Sequence, residues 1–165
     1  MKKVSKIMLA SSIVLSVAST STILTSQAYA QEFETPYYNY TGYTSYQSNF
    51  LLDEYFKNAL ASGNVNFNGI KVNQMYNHGN TNVKLYDQNF THVHDKKASS
   101  VEFPVQSNTI SLKQIKEIYG NDYNYQPPLT QEKREETQGL YGYKIGKGNI
   151  VFYVSNGYVQ SVTIS

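Results

Sequence analysis

The chain has 165 residues, of which 40% are hydrophobic and 16% charged, with 16 tyrosines, no tryptophan and no cysteine. The absence of cysteine excludes a disulfide framework, and the formal net charge of +2 is too small to indicate a polyanion-binding protein from composition alone. A chain of this length is expected to form a core that needs no covalent or metal crosslink.

The first thirty residues have the pattern of a secretory signal peptide. Three lysines precede a mostly apolar stretch over residues 7–24, and Ala28-Tyr29-Ala30 is a small-x-small cleavage site. The many Ser and Thr residues in the stretch argue against a membrane anchor. We expect cleavage after residue 30, no membrane span in the mature chain, and a secreted protein that is at most loosely associated with the cell surface. The mature chain then has 11 basic and 12 acidic residues, a net charge of −1.

The mature chain is predicted to contain a tyrosine-rich start and one folded domain. Residues 31–48 include five tyrosines among small polar residues, which favours an extended arm or an edge strand over disorder. Residues 49–165 are predicted to form a single α+β domain with an antiparallel sheet and two short helices.

Two amphipathic helices are expected. The first begins with Asn49 as its N-cap and ends at Gly63. Its apolar residues recur at the spacing of one buried face: Leu52, Tyr55, Phe56, Ala59 and Leu60. The second begins at Ser111, which forms a capping-box sequence with Gln114, and ends at Gly120. Its apolar face is Leu112, Ile115, Ile118 and Tyr119.

Strands are predicted on both sides of the second helix. The Asn68-Gly69 dipeptide predicts a hairpin over residues 65–72 with a type I′ turn. Five more strands are expected at residues 83–86, 101–105, 140–145, 150–155 and 158–164. Pro104 should confine its strand to an edge or to an irregular position, whereas the segment 150–154 is apolar on both faces and should be central. A helix followed by strands occurs twice, which suggests a loose duplication.

Motifs for catalysis or cofactor binding are absent from the sequence. His92-x-His94 on a strand would place two imidazoles on one face, but no third ligand is specified, so no metal site is predicted. The carboxylates within residues 132–136 alternate with basic residues, as on a solvated face. The glycines of 146–148 lack the rest of a phosphate-binding loop and fit a hairpin turn. We therefore predict no enzyme, no catalytic residue and no cofactor.

Tyrosine and lysine are the residue types that indicate binding. Fifteen tyrosines remain in the mature chain, and residues 55–116 carry seven lysines against three acidic residues. Tyrosine rings stack on bases or pack on protein surfaces, while lysines neutralise phosphates. Two hypotheses stay open: binding of extracellular DNA or RNA, and binding or inhibition of a host or bacterial protein. The candidate nucleic-acid-binding residues are Lys71, Lys84, Lys96, Lys97, Lys113, Lys116, Tyr86 and Tyr119.

Several runs combine turn, cap and apolar residues at distinctive spacings: Thr35-Pro36-Tyr37-Tyr38, Asn64-Val65-x-Phe67-Asn68-Gly69-Ile70-Lys71, Tyr86-Asp87-Gln88-x-Phe90 and Ile110-Ser111-Leu112-Lys113-x-Ile115. Over residues 35–122, fading beyond, the chain resembles the immunodominant staphylococcal antigen B family. The resemblance implies a secreted or loosely surface-associated antigen related to virulence, which binds extracellular nucleic acid without sequence preference in biofilm or host interaction. It implies no catalytic residue and no metal ligand.

Overall fold

The fold is α+β, which confirms the predicted class. The computed structural model describes residues 35–129 and 136–165. The predicted signal peptide, the first residues of the 31–48 segment and the charged stretch 130–135 lie outside the described residues. Three helical segments are described: a 3-10 helix (Asn49–Leu52), α1 (Glu54–Ala61) and α2 (Leu112–Tyr119). Eleven strands are described: β1 (Tyr38–Tyr40), β2 (Val65–Phe67), β3 (Ile70–Val72), β4 (Thr81–Leu85), β5 (Gln88–Val93), β6 (Lys97–Ala98), β7 (Ser100–Pro104), β8 (Asn124–Gln126), β9 (Gly139–Ile145), β10 (Gly148–Ser155) and β11 (Tyr158–Ile164).

The strands form two sheets. The large sheet has the order β4-β5-β7-β11-β10-β9-β8, and all its neighbours are antiparallel. The small sheet has the order β1-β2-β3-β6, with β1 at one edge and parallel pairing at both ends. Its β2–β3 hairpin turns at Asn68-Gly69 and pairs Phe67 with Ile70, as predicted. The strands that follow α1 are divided between both sheets, whereas those that follow α2 all belong to the large one.

The core lies on one face of the large sheet, beneath the small sheet and the helices. Strand β10 has the period-two alternation of such a sheet, with Ile150, Phe152 and Val154 buried. It lies between β9 and β11, which confirms the predicted central position. An aromatic cluster joins the layers, because the ring of Phe67 on β2 lies 5.3 Å from that of Phe103 on β7.

The first helix begins later than predicted. Asn49 starts the 3-10 helix, and Asp53 is the N-cap of α1, where its side chain accepts a hydrogen bond from the Tyr55 backbone N–H. Asp53 has an extended backbone, which separates the 3-10 helix from α1. Leu52 therefore does not lie on the same helical face as the apolar residues of α1, and Tyr55 is 73% exposed rather than buried. The predicted end is confirmed: Gly63 has φ +67° and its N–H donates to the Leu60 carbonyl.

The second helix and the proline strand follow their sequence signals. The Gln114 N–H donates to Ser111 Oγ over 3.2 Å, and the Ser111 N–H donates to Gln114 Oε1 over 2.9 Å, which confirms the capping box. Strand β7 is interior to the large sheet rather than at its edge. Pro104 pairs only with Ser161 on β11, because β5 pairs with β7 no further than Glu102. This is the irregular position that the sequence allowed as an alternative.

The segment Gly146-Lys147 forms the β9–β10 hairpin turn that the sequence favoured over a phosphate loop. The turn packs on the end of α1, where the Lys147 N–H donates to the Ala61 carbonyl over 2.9 Å. A Cβ on Gly148 would lie 2.7 Å from the Leu60 carbonyl oxygen, so the close approach requires glycine. Within the described residues, no helix is long and apolar enough to cross a membrane.

Candidate nucleic-acid interface

The eight predicted site residues lie at three separate positions. The first group belongs to the small sheet and its flanking turn: Lys71, Lys96 and Lys97. The second lies on β4 and the turn that follows it: Lys84 and Tyr86. The third belongs to α2: Lys113, Lys116 and Tyr119.

Lys71, Lys96 and Lys97 form a compact group that we call the lysine cluster. Lys71 on β3 and Lys97 on β6 are direct partners in a parallel pair, about 4.8 Å apart across the strands. Lys96 precedes Lys97, and its carbonyl accepts the Lys71 N–H over 2.9 Å. None of the three ammonium groups forms an ion pair with any residue that the structure describes. Like charges at directly opposite positions of a strand pair, as at Lys71 and Lys97, are destabilising, so an anionic ligand bound there would relieve an unfavourable interaction.

A tight turn presents Lys96 to solvent. His94 and Lys97 exchange two backbone hydrogen bonds of 2.9 Å around Asp95-Lys96, and both turn residues have positive φ, +47° and +57°. This is the geometry of a type I′ turn, in which Asn-Gly or Asp-Gly is the usual pair. Lysine at the second position has a Cβ that makes this conformation unfavourable.

A small cleft of about 170 Å³ adjoins the lysine cluster. It is lined by Tyr76, His78, Gly79, His94 and Lys97. The Lys97 Nζ lies 5.3 Å from the centroid of the Tyr76 ring, a cation–π contact that orients the ammonium group. An aromatic ring beside a cation is an arrangement that suits a base and its phosphate.

A regular strand would place His92 and His94 on one face, but the two imidazoles have different partners. His92 has φ +52°, which interrupts the regular alternation, and its Nδ1 lies 2.8 Å from Ser99 Oγ. His94 Nδ1 instead lies 3.3 Å from Asp95 Oδ2. Among the described residues, no group of three or more His, Cys, Asp or Glu side chains is placed to hold a metal ion.

Tyr86 belongs to an exposed aromatic group that we call the tyrosine trio: Tyr43, Tyr46 and Tyr86. The Tyr43 ring lies 4.9 Å from the Tyr86 ring and 5.7 Å from the Tyr46 ring, both edge to face. The three side chains are 48%, 77% and 50% exposed, respectively. The sequence indicated Tyr86 as a candidate residue but Tyr43 and Tyr46 only through the density of tyrosine before Asn49, and it did not predict that the three rings would meet.

Asp87 holds the loop that carries two members of the trio. Its carboxylate accepts hydrogen bonds from the Thr44 N–H at 3.0 Å, the Thr44 hydroxyl at 3.2 Å and the Ser45 N–H at 2.8 Å. Partial burial acts to raise the pKa of the Asp87 carboxyl, but the hydrogen bonds from Ser45 and Thr44 outweigh it, so the pKa lies below its ordinary value of 3.8. The carboxylate is therefore a structural anchor.

A second set of polar contacts holds the start of the same loop. The Gly42 N–H donates to Asn68 Oδ1 over 2.8 Å, and the buried Gln88 side chain donates to the Gly42 carbonyl over 2.8 Å. Gln88 also accepts from the Asn68 amide over 2.6 Å. Three turns, at residues 41–48, 68–69 and 86–87, are thus tied together under the trio.

The lysines on α2 lie in a surface of mixed charge. Lys113 Nζ lies 3.8 Å from the Glu117 carboxylate, and Lys116 Nζ lies 4.8 Å from the centroid of the Tyr123 ring. Both lysines line a cleft of about 750 Å³ together with Glu117 and Glu136. Two carboxylates beside two ammonium groups leave little net attraction for a polyanion.

Tyr119 is not available to a ligand, so its assignment as a nucleic-acid contact is corrected. The side chain is 7% exposed, and its hydroxyl donates to the Leu51 carbonyl over 2.8 Å. Burial raises the pKa of the Tyr119 phenol far above its ordinary value. Its ring packs against Phe152 on β10 at 5.2 Å, because Tyr119 belongs to the buried face of α2.

The fold and the surface define an α+β protein with a seven-stranded antiparallel sheet, exposed cations and an exposed aromatic group. The family described as immunodominant staphylococcal antigen B matches residues 37–164. Proteins of that name from Staphylococcus aureus strains USA300, NCTC 8325 / PS 47 and COL are each 37% identical over 174 residues, which cover 99% of this chain and 95% of the relative. The chain therefore belongs to the immunodominant staphylococcal antigen B family.

The family relationship extends beyond the part of the chain that carries the recognisable runs. The match continues to residue 164, so the expectation that the resemblance fades after residue 122 is wrong. The relatives are named as antigens rather than as enzymes. No solved structure matches the chain.

Proposed function

We propose that this chain is a secreted, or loosely surface-associated, antigen that binds extracellular DNA or RNA without sequence preference and contributes to virulence or biofilm. The observation that carries the proposal is the lysine cluster, in which two strand partners and an adjacent turn residue place three lysines side by side on the backbone, none of them ion-paired with a described residue. Phosphate contacts carry no sequence information, so a site built from lysines binds any nucleic acid.

The near-neutral charge of the mature chain is compatible with this function. Interactions between exposed charges are largely screened beyond about 8 Å at physiological ionic strength, so a ligand responds to the local group of charges. Within the turn that carries Lys96, the acidic residue is Asp95, and its carboxylate contacts His94. The net local charge of the cluster is therefore positive, whatever the sum over the chain.

The backbone of Lys96 supports a functional role for this turn. A side chain other than glycine in the left-handed conformation costs about 1–2 kcal/mol, and Lys96 has φ +57°. Glycine at this position would relieve the strain but would remove the ammonium group. Strain that persists at an exposed position is typical of sites that a function maintains.

The test is fluorescence anisotropy of the mature protein with labelled random oligonucleotides, single- and double-stranded, at salt concentrations from about 50 to about 200 mM. The double variant Lys96→Glu/Lys97→Glu should bind at least tenfold more weakly at low salt. The matched control is Lys144→Glu/Lys147→Glu, which makes the same charge change at exposed lysines on β9 and its turn and should bind almost as the parent does. Equal losses in both variants, or no binding by the parent, would exclude the lysine cluster as the site.

A further inference from the structure

The tyrosine trio is an exposed aromatic surface that the lysine cluster does not explain. Its members come from two turns separated in the sequence, residues 41–48 and the β4–β5 turn at residues 86–87. The trio and the lysine cluster lie at opposite ends of β5, because one turn precedes Gln88 and the other follows Val93. Clustered exposed aromatic rings are characteristic of binding surfaces rather than of surfaces that contact only solvent.

The loop that carries the trio is fixed before any ligand arrives. Thr44, Ser48 and Gln88 beneath it are almost completely buried. Ser48 Oγ donates to the Thr44 carbonyl over 2.6 Å and accepts the Gln106 N–H over 3.0 Å. Among the described residues, no buried side-chain nitrogen or oxygen lacks a hydrogen-bond partner. The rings are therefore presented on a rigid support, which lowers the entropic cost of stacking a ligand on them.

The backbone of Tyr86 is held in an unfavourable conformation to present its ring. Tyr86 has φ +56°, in a two-residue turn between Leu85 and Gln88. Seven non-glycine residues in the described part of the chain have positive φ, and apart from Tyr86 they are Asn, Asp, His and one lysine, Lys96. Asn, Asp and His tolerate this region, whereas a bulky aromatic residue in it is an outlier. The two residues least suited to the left-handed conformation thus lie in the two candidate binding surfaces.

Lys84 is the lysine that lies nearest to the trio along the chain. Lys84 lies two residues before Tyr86, exposed on β4 while its neighbours Val83 and Leu85 are half-buried. Lys84 lines a shallow cleft together with Asn89 and Glu102, but its ammonium group forms no ion pair with any residue that the structure describes. Aromatic rings alone would suit a proline-rich peptide or a neutral sugar, but rings on a hairpin that also carries an exposed lysine two residues from Tyr86 suit a ligand with both a flat π-face and a negative charge.

We infer that the tyrosine trio is a stacking platform for unpaired nucleobases, with Lys84 neutralising an adjacent phosphate. The inference rests on the proposed nucleic-acid binding and adds a preference to it. Bases in a duplex are stacked on one another and cannot lie on protein rings, whereas bases of a single strand can. The lysine cluster attracts either form, and the trio selects single-stranded DNA or RNA.

The test compares single-stranded and duplex oligonucleotides of random sequence with three forms of the mature protein. The trio variant is Tyr43→Ala/Tyr46→Ala/Tyr86→Asn, because asparagine tolerates the backbone of the turn. The matched control is Tyr37→Ala/Tyr55→Ala/Tyr153→Ala, which removes three exposed tyrosines outside the trio. The trio variant should lose at least fivefold in single-strand affinity and less than twofold in duplex affinity. The control should lose less than twofold with both.

Conservative substitution separates stacking from folding. Tyr46→Trp, at the most exposed ring of the trio, should retain or increase single-strand affinity, whereas Tyr46→Ala should lower it. Equal losses for the two nucleic-acid forms, or unchanged single-strand affinity of a folded trio variant, would overturn the inference while leaving the proposed function intact. Absence of binding by the parent protein would overturn both. The parent protein can also be tested for a serum protein that it retains after nuclease treatment. If the trio variant loses that serum protein but keeps normal oligonucleotide affinity, the platform binds a protein partner and the inference is overturned.

Discussion

Asp87 is the residue whose substitution tests the support of the tyrosine trio most directly. Hydrogen bonds to a charged group contribute about 1.5–3 kcal/mol each, and the Asp87 carboxylate accepts three from Thr44 and Ser45. Asp87→Asn keeps one carbonyl acceptor, removes the charge, and places an amide donor opposite backbone donors. We expect the free energy of unfolding at pH 7 to fall by about 2 kcal/mol, since the amide oxygen can still accept from Thr44 while the hydrogen bond from the Ser45 N–H is lost.

The pH dependence gives the substitution a specific signature. The pKa of the Asp87 carboxyl in the folded protein lies below its ordinary value of 3.8. A carboxyl group with a lowered folded pKa contributes stability above its unfolded pKa, and that contribution is lost as the pH falls through the folded pKa. The difference between parent and Asp87→Asn should therefore be full at pH 7 and should shrink as the pH is lowered below about 3.8.

Urea denaturation at several pH values measures this difference. Asp122→Asn is the control, because Asp122 is exposed and its substitution should change the unfolding free energy by less than about 0.5 kcal/mol. A parent and Asp87→Asn of equal stability at pH 7 would refute the anchoring role. A difference that stays constant from pH 7 to below the folded pKa would refute the electrostatic reasoning.

Three further substitutions test other parts of the structure by urea denaturation. Lys96→Gly should raise the unfolding free energy by up to about 1 kcal/mol, because strain relief exceeds the added entropy of the unfolded chain, and should weaken oligonucleotide binding; lower stability would contradict it. Phe67→Ala should cost about 3–5 kcal/mol, since the ring packs against Phe103 in the core, and a cost below about 1 kcal/mol would show that the contact is unimportant. Ser111→Ala should cost about 0.5–2 kcal/mol by removing the oxygen that accepts the Gln114 N–H, and no loss would contradict the capping role.

Features encoded by neighbouring residues could be predicted from the sequence. The Asn68-Gly69 turn needs two residues with positive φ, and the dipeptide is the one that adopts them most easily. The capping box at Ser111 likewise depends on a residue three positions away. The segment 150–154 is apolar on both faces, and that local pattern was enough to place β10 between its neighbours among the final three strands.

Features that depend on distant segments could not be predicted from the sequence. Strand β5 was not predicted, because Phe90 is surrounded by polar residues that break the apolar pattern. Gln88 is nonetheless fully buried, since Gly42 and Asn68 satisfy its amide group. A buried glutamine of this kind looks like a surface residue until its partners are known.

In the candidate site, too, the sequence indicated the residue types but not the contacts between distant segments. The sequence identified lysine and tyrosine as the relevant types, but Lys71 meets Lys97 only because β3 and β6 pair in parallel. Tyr119 has the spacing of a buried helical face, and that pattern indicated its true position more reliably than its residue type did. The tyrosine trio is assembled by polar contacts between turns, which no local pattern predicts.

The salt dependence of oligonucleotide binding tests the central claim most directly. If the three lysines of the cluster contact phosphates, the logarithm of the association constant for a duplex, which does not use the tyrosine trio, should fall against the logarithm of salt concentration with a slope of about −2.7. The variant Lys71→Gln/Lys96→Gln/Lys97→Gln should bring that slope close to zero. No binding by the mature protein at low salt, or an unchanged slope in the variant, would contradict the account.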